Sequence, residues 1–195
     1  MSTAKSFTIT LLLSVFFCIS CTDNSYFPRP SGYLRIDLPQ AAYQRFDTTF
    51  PYSFDYSNFA RIEFENDPQS DPFWINISYP RFNGKIHMSY KDLAHHDLYT
   101  LHEDARNFVY RHASKAIGIR ESIVTLTKSN TFGMVYFIDG KDAASPFQFW
   151  VTDSVNHFVR GALYFNLLPN NDSLKPVIDF IVNDVDHMLA TFQWK

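Results

Sequence analysis

The sequence predicts an α+β fold, a mainly antiparallel sheet covered by two helices. Aromatic residues make up 17% of the chain, with 20 Phe and 11 Tyr against only 6 Gly, and Phe and Tyr favour the pleated, half-buried surface of a strand. Most apolar residues alternate with polar ones at a period of two, whereas one mid-chain segment and one near the end repeat at three and four. The strand-like segments follow one another through short connections, which favours antiparallel pairing and leaves apolar sheet faces for both helices to cover. With 195 residues, 46% of them apolar, the chain suits one globular domain with a core of its own.

Taken in order, Arg61 to Glu65 (RIEFE) alternates with Ile62 and Phe64 on one face. Phe73, Ile75, Ile77 and Tyr79 alternate with Trp74, Asn76 and Ser78. After a turn at Pro80 to Gly84, Ile86, Met88 and Tyr90 alternate with Lys85, His87 and Ser89. Leu98, Leu101, Ala105, Phe108 and Val109 then take helical spacing. Four further strands read as Ile119 to Thr127, Phe132 to Ile138, Ser145 to Thr152 and Phe158 to Leu167, with Asp139-Gly140 as a hairpin-turn signal between the second and third. The last segment is the most periodic: Leu174, Val177, Ile178, Ile181, Val182, Val185, Met188, Leu189 and Phe192 form one stripe. Asp172 or Ser173 can cap that helix, which places Pro176 in a first turn that tolerates it.

The first twenty residues read as an address. Lys5 supplies a positive n-region, and Phe7 to Phe17 (FTITLLLSVFF) carries no charge. That run is shorter than the ~20 apolar residues needed to span a bilayer, and it has the size of a signal-peptide h-region. It ends at Cys18-Ile19-Ser20-Cys21, where the small Ser20 precedes Cys21 as in a bacterial lipobox; the usual Leu three residues before the modified Cys is here Cys18. The alternative is an ordinary signal peptide cut near Ser20, with Cys21 left as a free thiol. The expected organisation is a lipoprotein signal peptide at 1–20, a lipidated tether at 21–31 and a single α+β domain at 32–195. Pro28 and Pro30 make the tether extended.

Cleavage before Cys21 removes Cys18, and lipidation consumes Cys21. These are the 2 Cys of the chain, so no thiol is left for a disulfide framework, a Cys-ligated zinc site or a Cys nucleophile. The formal charge of −3 becomes one unit more negative with the loss of Lys5. A body of that charge has neither the basic excess of a nucleic-acid binder nor an attraction to anionic headgroups. Membrane attachment then rests on acyl chains such as palmitate, at ~0.8 kcal/mol per buried methylene.

Candidate chemistry is sparse. His102-Glu103-Asp104-Ala105-Arg106 begins like a zincin motif but lacks the second His. His95 and His96 precede the helix, and His102 and His112 within it stand about 80° apart in helical phase, so solvated histidines are expected rather than a metal site. Asp153, Ser154 and His157 hold triad residue types, yet they lie between two strands without a G-x-S-x-G elbow. A turn capping its own backbone is expected there. Asp139, Lys141 and Asp142 read as turn solvation. No catalytic residue, metal ligand or cofactor is assigned.

Two stretches suit a contact surface. Arg29, Tyr33 and Arg35 stand in a proline-stiffened segment, and Arg and Tyr are the residue types that dominate interface hot spots. In the strand from Phe158 to Leu167, Phe158, Arg160, Ala162 and Tyr164 share one face, which makes Arg160 and Tyr164 further possible partner contacts. Plain folding would instead pair Arg160 with an acid. Gly161 in mid-strand calls for a close approach or a bulge.

Several long strings occur in order along the mature chain: PRPSGYLRIDLPQAAYQRFD (Pro28 to Asp47), FPYSFDY (Phe50 to Tyr56), YPRFNGKIHMSYK (Tyr79 to Lys91), ASPFQFWVTDSVNHFVRGALYFN (Ala144 to Asn166) and PNNDSLKPVIDFI (Pro169 to Ile181). Together they resemble the GldD family of gliding-motility lipoproteins of Bacteroidetes-type bacteria. The pattern of elements resembles a PsbP/Mog1-like sandwich. The family resemblance implies a noncatalytic cell-envelope lipoprotein required for gliding and associated with type IX secretion. It implies a membrane held through a lipid anchor, a body facing the periplasm, and other gliding or secretion envelope proteins as partners. Of site residues, only the lipidated Cys carries over, onto Cys21. The alternatives are an envelope hydrolase, marked by a titratable cluster in a concave pocket, and a periplasmic lipid- or glycan-binding module, marked by a deep apolar cavity or an aromatic platform.

Overall fold

The computed structural model describes residues 36–65, 71–111 and 113–195, all within one compact unit spanning Tyr33–Lys195. Among these residues stand ten strands and two α-helices: β1 (Tyr43–Phe46), β2 (Tyr52–Ser57), β3 (Arg61–Phe64), β4 (Ile75–Tyr79), β5 (Gly84–Asp92), α1 (Leu98–Tyr110), β6 (Gly118–Leu126), β7 (Thr131–Asp139), β8 (Phe147–Thr152), β9 (His157–Phe165), α2 (Asn171–Ala190) and β10 (Gln193–Trp194). Seven strands form an antiparallel sheet in the order β3-β4-β5-β9-β8-β7-β6. A second, three-stranded sheet has the order β1-β2-β10. The α+β class and the antiparallel pairing follow the sequence prediction.

The period-two pattern decides the sheet's faces. In β5, Gly84, Ile86, Met88 and Tyr90 are buried while Lys85, His87, Ser89 and Lys91 alternate with them on the other side. The buried set joins Ile75, Ile77, Phe149, Val159 and Leu163 in the main core, closed from above by Val177, Ile181, Val185, Met188 and Leu189 of α2 and by Phe46, Tyr52, Phe54 and Phe192. Opposite this core, Val109 of α1 packs with Tyr136, Ile138 and Ala143. β9 lies between β5 and β8 and is covered on both faces. Its Gly161 faces Phe149 directly, and a Cβ there would come within 2.2 Å of the Phe149 ring. The close approach expected at Gly161 is therefore an aromatic ring filling the space of its missing side chain.

Several expectations need correction. Strands also stand at 43–46, 52–57 and 193–194, beyond those expected; Tyr52, Phe54 and Tyr56 do alternate with Ser53, Asp55 and Ser57, whereas 43–46 and 193–194 are too short to show a period and are ordered by their pairing with β2. Phe192, counted in the helical stripe, lies beyond the helix end at Ala190 and reaches the core from the turn before β10. α2 starts earlier than the cap at Asp172 or Ser173 implies, at Asn171, whose side-chain amide donates to the carbonyls of Gly140 and Ala143 at 2.8 and 2.9 Å. Pro176 is then interior to the helix rather than in its first turn. Asp139-Gly140 opens the connection between β7 and β8, which pair antiparallel as the hairpin signal predicts. Gly140 is needed there because a Cβ would meet the Lys115 carbonyl at 2.5 Å.

Candidate functional site

α1 begins where Asp97 caps it, its Oδ2 accepting from the Thr100 N–H at 2.8 Å and the Thr100 hydroxyl at 2.9 Å. This satisfies a donor that the first helical turn leaves unpaired. The helix buries Ala105 and Val109 against the sheet. Toward β4 and β5 the sheet presents the polar side chains of Asn76, His87, Ser89 and Lys91. A cavity of about 380 Å³ remains there, walled by Leu101, Ala105 and Phe108 of the helix, by Trp74, and by Phe158 and Arg160 of β9.

Arg160 is the chemical centre of this cavity. Its Nη2 donates to Gln148 Oε1 at 2.6 Å, and the Phe108 ring covers its guanidinium at 4.4 Å from carbon to centroid. Burial lowers its pKa, with the Tyr164 phenol opposing the shift, but an arginine in this setting keeps its charge. The acid expected beside it is not there: among the described residues no carboxylate forms an ion pair with Arg160. Sequence spacing cannot show this, because Gln148 and Phe108, which contact the guanidinium along with Tyr164, come from β8 and α1. Gln148 is buried and its Nε2 has no partner, so the amide is held by the bond to Arg160 alone.

The other cations near the cavity are engaged. Lys91 pairs with Asp71 and lies 5.6 Å above the Trp74 ring. Lys85 pairs with Glu63 at 2.8 Å. His87 stands edge-on to Tyr164 with centroids 5.7 Å apart, and desolvation, then the Lys85 charge, lower its pKa. Glu65, which accepts from Asn76 at 3.3 Å, and Asp104 complete the lining. A second cavity of about 430 Å³ shares His87 and is lined by Lys85, Tyr164 and Asn166. Arg160 and Tyr164 therefore share one face of β9, as the alternation predicts, and line neighbouring hollows.

Cys21, Arg29, Tyr33 and Arg35 lie outside the described residues, as does His112. Asp153 behaves as a turn residue, its Oδ1 accepting from the N–H groups of Val155, Asn156 and His157 at 2.8–3.0 Å. His157 turns away from Ser154: Tyr90 Oη lies 2.8 Å from its Nδ1, and its ring stacks on Trp194. His95 contacts Asp92, and His102 stands edge-on to Trp150. Among the described residues no group of three or more His, Cys, Asp or Glu is placed to hold a metal. The sequence reading passed over Trp74, His87, Phe108 and Gln148. The polar side of β5 was the available signal, but only the sheet order brings it beside β9.

A family model described as "Gliding motility lipoprotein GldD" matches residues 23–194. Among curated proteins none matches the chain. Among solved structures, the solution structure of cyanobacterial PsbP (CyanoP) from Synechocystis sp. PCC 6803 is similar at 12% identity and a TM-score of 0.45, over 87% of this chain and 100% of that one.

Proposed function

The chain belongs to the GldD family of gliding motility lipoproteins, and from that premise we propose that it is a noncatalytic envelope lipoprotein acting through protein contacts in gliding and type IX secretion. In this reading residues 1–20 are removed, Cys21 carries the acyl chains, residues 21–31 form the tether, and the body faces the periplasm. The match over residues 23–194 carries the reading. Among the described residues no helix is long and apolar enough to cross a membrane, which fits attachment through lipid.

The edge of the large sheet supports the contact role. Among the described residues β6 pairs on one side only, with β7, and it is largely exposed along its length. Ile123 in this strand is 76% exposed and Ile117 just before it is 90% exposed. Unpaired backbone groups beside exposed apolar side chains are what an added strand from a partner recognises. Arg29, Tyr33, Arg35, Arg160 and Tyr164 are further proposed contacts. Two variants test the reading. Cys21→Ala should lose metabolic labelling by a fatty-acid analogue, and persistent label overturns the anchor assignment. Ile123→Lys should abolish gliding with an unchanged melting temperature, whereas normal gliding removes the edge strand as a contact. The alternative of a lipid- or glycan-binding module is favoured by one observation, the cavity at Arg160.

A further inference from the structure

We propose that the cavity between α1 and the sheet is a binding site for a small apolar monocarboxylate, with the carboxylate on Arg160 and the apolar body against Trp74, Leu101 and Phe108. Arg160 is half-buried, and a charge partly withdrawn from water gains from a counter-charge that offsets its desolvation. Gln148 and Tyr164 hold the Arg160 fork in place but supply no negative charge, and Phe108 supplies only a ring face. Arginine has five N–H donors in a plane matched to a carboxylate. Arg160 lines the cavity, so the donors not engaged by Gln148 and Tyr164 are available to a ligand there. The fork is held before any ligand arrives, which lowers the cost of binding.

The walls select the rest of the ligand. A volume of about 380 Å³ falls in the range of small-molecule sites, which combine apolar walls with a few placed polar groups. Lys91 and Lys85 are paired with Asp71 and Glu63, and the lowered pKa of His87 keeps that ring neutral near pH 7. Arg160 is the cation of the lining that has no ion pair among the described residues, while the carboxylates of Glu65 and Asp104 in the same lining keep the net charge from being positive. That balance suits a monoanion and disfavours a dianion such as a phosphate monoester. A neutral sugar would leave Arg160 uncompensated.

The test uses the full-length lipoprotein in nanodiscs and calorimetric titration with three soluble probes: 4-phenylbutanoate, its neutral analogue 4-phenylbutanol, and 4-phenylbutyl phosphate. The carboxylate should bind saturably, and the alcohol roughly ten- to a hundredfold more weakly, the loss expected for one charge-assisted pair. The phosphate should bind more weakly than the carboxylate. Arg160→Gln should remove the preference of acid over alcohol, and Phe108→Ala should weaken both while keeping it. Equal binding of acid and alcohol to the unaltered protein overturns the proposal without recourse to any variant, as does absence of carboxylate binding. Preference for the phosphate, or binding only of a tripeptide with a free C-terminal carboxylate, also overturns it, the latter because the occupant is then a polypeptide terminus.

Discussion

Asp184 points from α2 into the main core, is 2% exposed, and lies against the hydroxyls of Ser57, Tyr43 and Tyr79. Burial raises its pKa above the ordinary 3.8, while those hydroxyls and the His187 charge oppose the shift. One oxygen, Oδ2, has no partner. A raised value means that the folded state binds the proton more tightly than the unfolded state. The stabilisation is therefore complete below about pH 3.8, the unfolded value, and is lost as pH rises through the folded pKa. Asp184→Asn keeps the shape and removes the titration. Melting curves from about pH 4 to about pH 8 should show the variant gaining on the unaltered protein as pH rises; a constant difference would mean that Asp184 does not titrate in that window. The comparison has to be by difference, since Asp97, Asp139 and Asp153 have lowered values and tilt the whole curve the other way.

At the scale of the element, α2 shows how a stripe in sequence becomes a core. Ile181 is 0% exposed and touches the same cluster as Ile86, Leu163 and Phe149. Ile181→Ala should cost ~2–5 kcal/mol through lost transfer energy and a cavity, a large share of the ~5–15 kcal/mol that holds a domain together. Asp179 lies off the stripe in an exposed pair with Lys175 at 2.8 Å, and such pairs contribute ~0.3–0.5 kcal/mol. Asp179→Ala should leave the melting temperature nearly unchanged. Thermal melts of the two variants side by side make the check. An unchanged melt for Ile181→Ala would overturn the assignment of the stripe to the core.

At the scale of the molecule, the chain is closed by its own far ends. β10 pairs with β2, Gln193 opposite Ser53 and Trp194 opposite Tyr52, and Lys195 pairs with Asp47. Phe192 packs against Tyr52, Phe54 and Trp194 with centroids 4.7–5.9 Å apart. Arg45 of β1 donates to the Thr191 carbonyl and to Gln193. Removing residues 192–195 deletes a buried Phe, whose loss alone typically costs ~3–5 kcal/mol, and strips β2 of one partner. The denaturant midpoint should fall by far more than the removal of four surface residues would cause. A midpoint within error of the intact protein would show that the small sheet contributes little.

The sequence by itself determined the class, the two helices, the seven strands of the large sheet and the faces of β5 and β9, because each is written in a local period that burial enforces along one element. It also carried the family, whose model matches residues 23–194. What only the tertiary structure decided is which elements meet. The small sheet joins residues 43–57 to residues 193–194, and no period links segments so far apart. The setting of Arg160 is of the same kind: its strand face was legible, but whether an acid, an amide or a ring would stand beside it depended on β8 and α1 arriving there. Gly161 lies between the two cases. Its missing side chain announced a close approach, and the register of β8 supplied Phe149 to make it.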